Sequence, residues 1–449
     1  MIKLIQLIRK NYFDNTIELS KLSKTFFLWG IGLVLVYVAN IYLIRLIGLQ
    51  QYGEYTVFMN WVGLAVTLIL FGWDGYLVQQ IPQLPLTSDG KIRFGHLFRK
   101  TLLTFFLLFA ILVSILLAVV FIFKSSPMFS VPGVVQLFLL LVFFLTCIGY
   151  CKAILKIFHI VTPVQGLEDI VKPFLLLIIV FFFYFGNKPL KLESVYLINS
   201  ILVFMVALGL YLLMYLKLGK KIDLKDDTCV SKNWVRQCFY FMCIMMGYSF
   251  FSRMELLFLG FYSKNEDAAK YQILLRIADL VILPDFLFNY YLPQKFSRYF
   301  SDSKMEEAGN LFRYAARTIF LLQTLCLAFV AGIGYYYLQS FRIAGWDMYL
   351  LLLVLCSSQL FYSLFGSSNL VLMTSGNEKY SFMALALVLI VEAIANISFI
   401  SPYGLKAAVY ISWISVFLYT LILFFFVRKR LRFESPLVGF HSFRKQSKG

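Results

Sequence analysis

Apolar residues fill this chain in twelve long runs, at approximately 25–48, 55–80, 101–123, 134–156, 161–186, 194–216, 235–261, 271–292, 314–338, 346–373, 380–399 and 404–427. Each is at or beyond the ~20 residues that a helix needs to cross ~30 Å of hydrocarbon. Backbone polar groups find no water in lipid, so such runs must be helices packed into a bundle. The pattern predicts an all-α polytopic membrane protein with twelve transmembrane helices. The first run, Thr25 to Gly48, is too long for the core of a signal peptide and lacks a small-residue cleavage site, so it is expected to remain in the membrane.

The polar stretches divide the chain further. In residues 1–24, Ile2, Ile5, Leu7, Ile8, Ile17, Leu19 and Leu22 are interleaved with Lys3, Arg9, Lys10, Lys21 and Lys24. This is the pattern of an amphipathic segment on the cytoplasmic surface. Residues 217–234 are the most polar stretch and fall near the midpoint, reading as a cytoplasmic linker. It separates a six-helix lobe at 25–216 from a second at 235–427, and a basic cytoplasmic tail follows at 428–449. A weak repeat supports the division. Arg45-Leu46-Ile47-Gly48 before Tyr55 is echoed by Leu257-Phe258-Leu259-Gly260 before Tyr271. Six spans per lobe start both lobes from the same side, so the lobes are expected to be parallel repeats, with a site at their interface.

Composition narrows the function classes. With 61% hydrophobic and 14% charged residues, the chain is far from the ~25% charged of a soluble domain. A net charge of +18 raises nucleic acid as a partner, but the Lys and Arg concentrate in the termini and the even-numbered connections. That is the positive-inside pattern, and it places both termini in the cytoplasm. The tail residues Arg428, Lys429, Arg430, Arg432, Arg444, Lys445 and Lys448 read as an anchor facing anionic membrane lipids. No basic groove with stacking aromatics is visible, so nucleic acid is not expected. No G-x-x-x-x-G-K-[ST] pattern occurs, so no nucleotide cofactor is expected. Seven cysteines, six of them in or beside spans, give no disulfide framework, and the three histidines are scattered, so no metal site is expected.

Several of these short motifs also carry a family resemblance. Arg45-Leu46-Ile47-Gly48, Tyr52-Gly53-Glu54-Tyr55, Phe71-Gly72-Trp73-Asp74-Gly75 and Ile81-Pro82 resemble the opening of polysaccharide exporters of the multidrug/oligosaccharidyl-lipid/polysaccharide superfamily. Glu255-x4-Gly260, Ala269-Lys270-Tyr271, Met373-Thr374-x-Gly376 and Pro402-Tyr403-Gly404 extend the likeness to the second half. Members often have Asp where this chain has Glu255. The nearest branch is the Wzx-type O-antigen flippases. The resemblance implies a non-enzymatic transporter of the bacterial inner membrane that moves undecaprenyl-diphosphate-linked oligosaccharide outward by alternating access. It also implies coupling to a Na⁺ or H⁺ gradient and work alongside glycan polymerase and chain-length machinery.

Ionisable residues inside spans are costly and should face a cavity or a partner. Arg253, deep in the seventh span, suits a diphosphate, which guanidinium grips bidentately, or an ion pair with Asp74 or Asp279. Arg276 and Asp279, three apart, either pair locally or serve separately as cargo ligand and gate. Lys152, Lys156 and Arg317 are further basic candidates near the cytoplasmic side, with snorkelling as the plain alternative. Asp74, near the end of the second span, reads as a gating residue or a helix-end charge. Glu255, Glu392 and Asn396 offer oxygen ligands for ion coupling. Two rival functions remain open at this stage: a drug/cation antiporter, which the in-span arginines disfavour, and a membrane glycan polymerase or ligase, which the short outer loops disfavour.

Overall fold

The computed structural model describes residues 16–80, 92–93, 95–122, 133–158, 160–218, 222–223 and 234–433. The first half contains α1 (Thr16–Ile47), α2 (Leu49–Leu70), α3 (Trp73–Gln80), α4 (Gly95–Ile122), α5 (Val134–Ile157), α6 (Val161–Gln165), a π-helical segment (Gly166–Val171), α7 (Lys172–Phe185) and α8 (Leu192–Leu218). The second contains α9 (Trp234–Phe251), α10 (Met254–Tyr262), α11 (Asn265–Ser301), α12 (Met305–Ser340), α13 (Trp346–Ser358), α14 (Leu360–Leu364), α15 (Ser368–Thr374) and α16 (Glu378–Leu431). The only strands among the described residues are β1 (Ile92–Arg93) and β2 (Ile222–Asp223), a two-residue parallel pair in which Ile92 faces Ile222.

The architecture is that of an all-α polytopic membrane protein. Among the described residues seven helices are long and apolar enough to cross a bilayer, or eight if the bent pair α9–α10 counts as one span. Three of the twelve apolar runs are not counted as separate spans for physical reasons. The 54 residues of α16 would extend about 80 Å, far beyond one crossing, and the helix breaks at Gly404 (φ 54°, ψ −129°). Arg276, Asp279 and Asp285 lower the hydropathy of α11. The π-helical segment divides the fifth run into short pieces.

The chain forms two compact units, one of residues 1–48 and 61–246, the other of 49–60 and 247–449. They do not follow the chain strictly, because the start of α2 belongs with the second and most of α9 with the first. Residues 16–24, expected as a surface segment, continue into the first span as one helix, with no Gly or Pro to interrupt it. Residues 1–15 and 434–449, and most of the 217–234 linker, lie outside the described residues.

In the first unit α1 packs on α7 and the π-helical segment, α5 on α8, and α3 on α5. Its sharpest corner is Phe71-Gly72-Trp73. Gly72 has φ +71°, and a Cβ there would collide with the carbonyl oxygen of Cys238 on α9. Trp73 is fully buried, donates from its indole to Thr104 Oγ1 at 2.7 Å and stacks on Trp234 with ring centroids 5.1 Å apart. Small residues let helix backbones meet closely in a membrane, where there is no hydrophobic drive between helices.

In the second unit α11 packs on α12, α16 on α10, α13 and α15, and the start of α2 on α11. At that last contact a Cβ on Gly53 would fall well inside van der Waals distance of the Asn265 carbonyl oxygen. The Asn265 amide also donates to Glu54 Oε1 at 3.1 Å. Gly53→Ala is therefore expected to cost about 1–3 kcal/mol, the range of overpacked cores. Gly30→Ala, where nothing lies within 4 Å, is expected to be neutral or slightly stabilising. Thermal unfolding of the two purified variants in detergent compares them directly.

Candidate functional site

The second unit holds the chain's most heavily buried acidic groups among the described residues. Near the middle of the seventh apolar run the helix stops at Phe251, passes through Ser252 and Arg253 in non-helical backbone (Arg253 φ −136°, ψ −2°), and restarts at Met254. The break places Glu255 in the first turn of a new helix, where free backbone N–H groups and the helix dipole favour a carboxylate. Glu255 is 2% exposed.

Opposite it are Glu392 and Asn396, one turn apart on α16 and exposed by 1% and 0%. The carboxyl groups of Glu255 and Glu392 lie within hydrogen-bond reach of each other. The Tyr271 hydroxyl, from α11, bonds to Glu255 and also to Ser412 on α16. Apart from the facing carboxyl group, no protein N–H or O–H meets either carboxyl oxygen of Glu392, and neither amide atom of Asn396 has a protein hydrogen-bond partner. Two buried acceptors that face each other cannot both remain charged in a low dielectric, so the pair must share a proton or hold a cation. Four chain segments thus meet at one polar point inside an otherwise apolar bundle.

Two arginines adjoin this region. Arg253 is half-buried, and the charge that acts on it is the guanidinium of Arg276 on α11. Arg276 is exposed and lies close enough to Tyr52 and Tyr55 of α2 to influence both. Among the described residues neither arginine makes an ion pair. The alternative of an Arg253–Asp279 pair is not realised, and Arg276 and Asp279 interact only through space. Two guanidiniums that act on each other and make no ion pair among the described residues can grip an anion.

The other candidates lie elsewhere. Lys152 is held by Glu168 of the π-helical segment at 2.6 Å, so its charge is already matched. The side chains of Lys156 and Asp74 lie outside the described residues. Arg317 is half-buried on α12, away from the carboxylate pair in sequence and element, and Asp279 is half-buried one turn from Arg276.

Sequence reasoning missed two groups. Asp285, 7% exposed, follows Pro284 within the apolar run Val281-Ile282-Leu283-Pro284-Asp285-Phe286. An acid inside a span was a sufficient signal for it. Tyr362 lies where the charges of Asp285, Glu392 and Glu255 all act on it, and nothing distinguishes it in sequence from the other 27 tyrosines.

Residues 23–292 match the family described as polysaccharide biosynthesis protein. No curated protein matches the chain significantly. Solved structures share the fold at low identity. An inward-facing multidrug resistance MATE family transporter of the MOP superfamily is 14% identical with a TM-score of 0.67, over 91% of this chain and 98% of that one. The outward-facing conformation of such a transporter gives 14% and 0.61, over 92% and 95%. A MOP superfamily transporter from Pyrococcus furiosus, whose reverse-polarity binding pocket suggests a different function, gives 13% and 0.64, over 92% and 95%. With a family match over more than half its length and this helical architecture, the chain belongs to the polysaccharide biosynthesis protein family and has the fold of MOP superfamily transporters.

Proposed function

We propose that the protein is a flippase that moves a polyprenyl-diphosphate-linked oligosaccharide from the inner to the outer leaflet of the bacterial inner membrane. The observation that carries this reading is the unpaired couple Arg253 and Arg276 in a chain of the polysaccharide biosynthesis family. A diphosphate presents oxygens to both guanidiniums, whose planar forks match phosphate geometry. Twelve spans, in two lobes related as parallel repeats with both termini cytoplasmic, would open the site to each side in turn. The carboxylate pair Glu255 and Glu392 supplies the ion-coupling position, and Asn396 adds unpartnered polar atoms beside it. Glycan polymerase and chain-length machinery would take up the product.

A drug or cation antiporter is the second reading, favoured by the structural likeness to multidrug resistance transporters. Its cargo would have to approach Arg253 and Arg276, neither of which makes an ion pair among the described residues, and a guanidinium repels a cation. Deleting the gene and locating the polyprenyl-linked glycans distinguishes the readings. Single repeat units stalled on the cytoplasmic face support the flippase. Unchanged glycans with altered drug sensitivity support the antiporter, and units exposed on the outer face but never extended support a polymerase.

Two further outcomes are expected. Arg253→Ala and Arg276→Ala should each weaken binding of undecaprenyl diphosphate by about 10- to 100-fold, the worth of one charge-assisted hydrogen bond. Arg253→Lys should be intermediate, since it keeps the charge and loses the fork. Scintillation proximity binding to purified protein measures this. Glu392→Gln should leave that binding intact but remove the stimulation of flipping by an imposed ion gradient, measured in proteoliposomes as cargo accessible from outside.

A further inference from the structure

The two ends of α16 meet. On a straight helix Tyr380 and Phe426 would stand about 70 Å apart. The break at Gly404 folds the helix back, and their ring centroids lie 5.0 Å from each other. Ser381 bonds to Tyr419 across the two arms, and the Tyr419 hydroxyl meets that of Tyr248 on α9 at 3.0 Å. The junction is thereby fixed by hydrogen bonds as well as by ring packing.

Lys379, Lys429 and Arg430 are exposed around this junction. The guanidinium carbon of Arg430 lies 4.5 Å from the centroid of the Tyr380 ring, and the Lys379 ammonium lies 5.2 Å from the same point. The two cations are therefore no further apart than those distances together, a gap that two phosphates joined through glycerol can span. Lys429 lies 5.9 Å from the centroid of Phe425, whose ring adjoins that of Phe426. Among the described residues none of these cations makes an ion pair, and the neighbouring Glu378 is exposed and pairs with none of them. Stacking on aromatic faces places the charges without neutralising them.

Their position selects the kind of anion. The helix is long and apolar enough to cross a bilayer, and close to these same ends Phe382, Met383 and Phe425 are 45%, 55% and 59% exposed. Tyrosine and cations at the end of a span, with large apolar side chains beside them, form the pattern of a membrane–water boundary. A soluble anion would engage the cations alone, whereas a phospholipid engages both surfaces.

We propose that Lys379, Arg430 and Lys429, seated on Tyr380 and Phe425, form a discrete site for a phospholipid with two phosphates, a diphosphatidylglycerol. Arg430 grips one phosphate with its planar fork, Lys379 meets the other, and Lys429 adds charge beside them. The acyl chains run along the exposed apolar side chains. A basic tail attracts anionic lipid diffusely, according to its total charge; this site takes one lipid and depends on which cation is removed. It does not rest on the flippase reading.

Native mass spectrometry of the full-length protein in detergent, titrated separately with diphosphatidylglycerol and phosphatidylglycerol, counts bound lipids and gives their Kd. Wild-type protein should bind one diphosphatidylglycerol about tenfold more tightly than phosphatidylglycerol, the worth of one added charge-assisted hydrogen bond. Arg430→Ala and Lys379→Ala should each weaken that binding by about tenfold. Arg430→Lys should weaken it as well, because the charge stays and the fork is lost. Arg428→Ala removes the same charge from the same helix end, but two residues from Arg430 it points to another face, so binding should stay within about twofold of wild type. Equal losses in Arg428→Ala and Arg430→Ala would overturn the site in favour of a diffuse field. Unchanged affinity in the Lys379→Ala, Arg430→Ala double variant would overturn it outright. Tighter binding of undecaprenyl diphosphate than of diphosphatidylglycerol, lost in Arg430→Ala, would overturn the phospholipid and make the patch an entry point for cargo. Glycan sidedness decides the flippase reading independently of all these outcomes.

Discussion

A buried carboxylate facing another carboxylate is an arrangement that hydrocarbon does not tolerate unless something neutralises it, and the second unit is organised around that constraint. Glu255 reaches its position only because the helix breaks at Ser252 and Arg253 and begins again. Tyr271 of α11 then bonds to Glu255, and Ser412 of α16 bonds to Tyr271. Glu392 and Asn396 come from the first part of α16, and Ser412 from the part beyond Gly404. The fold brings these segments together at one buried polar point.

The broad architecture was legible because it depends on local signals. Apolar run lengths marked the helices, and Glu255 and Glu392 were conspicuous because acids are rare in spans. The Gly-rich motifs were legible as motifs but not as packing. Gly72 and Gly53 mark places where one backbone passes directly against another, and Trp73 anchors the first of these corners through Thr104 and Trp234. A motif read as a family signature is thus also a statement about helix contact.

What sequence could not give was partnership between distant segments. The helix break at Arg253 has no Pro or Gly to announce it. Lys152 read as a free cation because its partner Glu168 comes into register through a π-helical turn. Tyr248 and Tyr419 lie 171 residues apart, and in a chain with 28 tyrosines only coordinates single them out.

That π-helical turn carries a consequence of its own. A π turn is an α-helix with one additional residue accommodated as a bulge. Residues 166–171 therefore act as a phase shifter, rotating everything downstream by about 100° relative to an uninterrupted helix. The face that α7 offers to α1 and α8 is set by that single surplus residue. Related chains could change side chains freely along this span, but losing one residue inside the bulge would turn a lipid-facing surface inward.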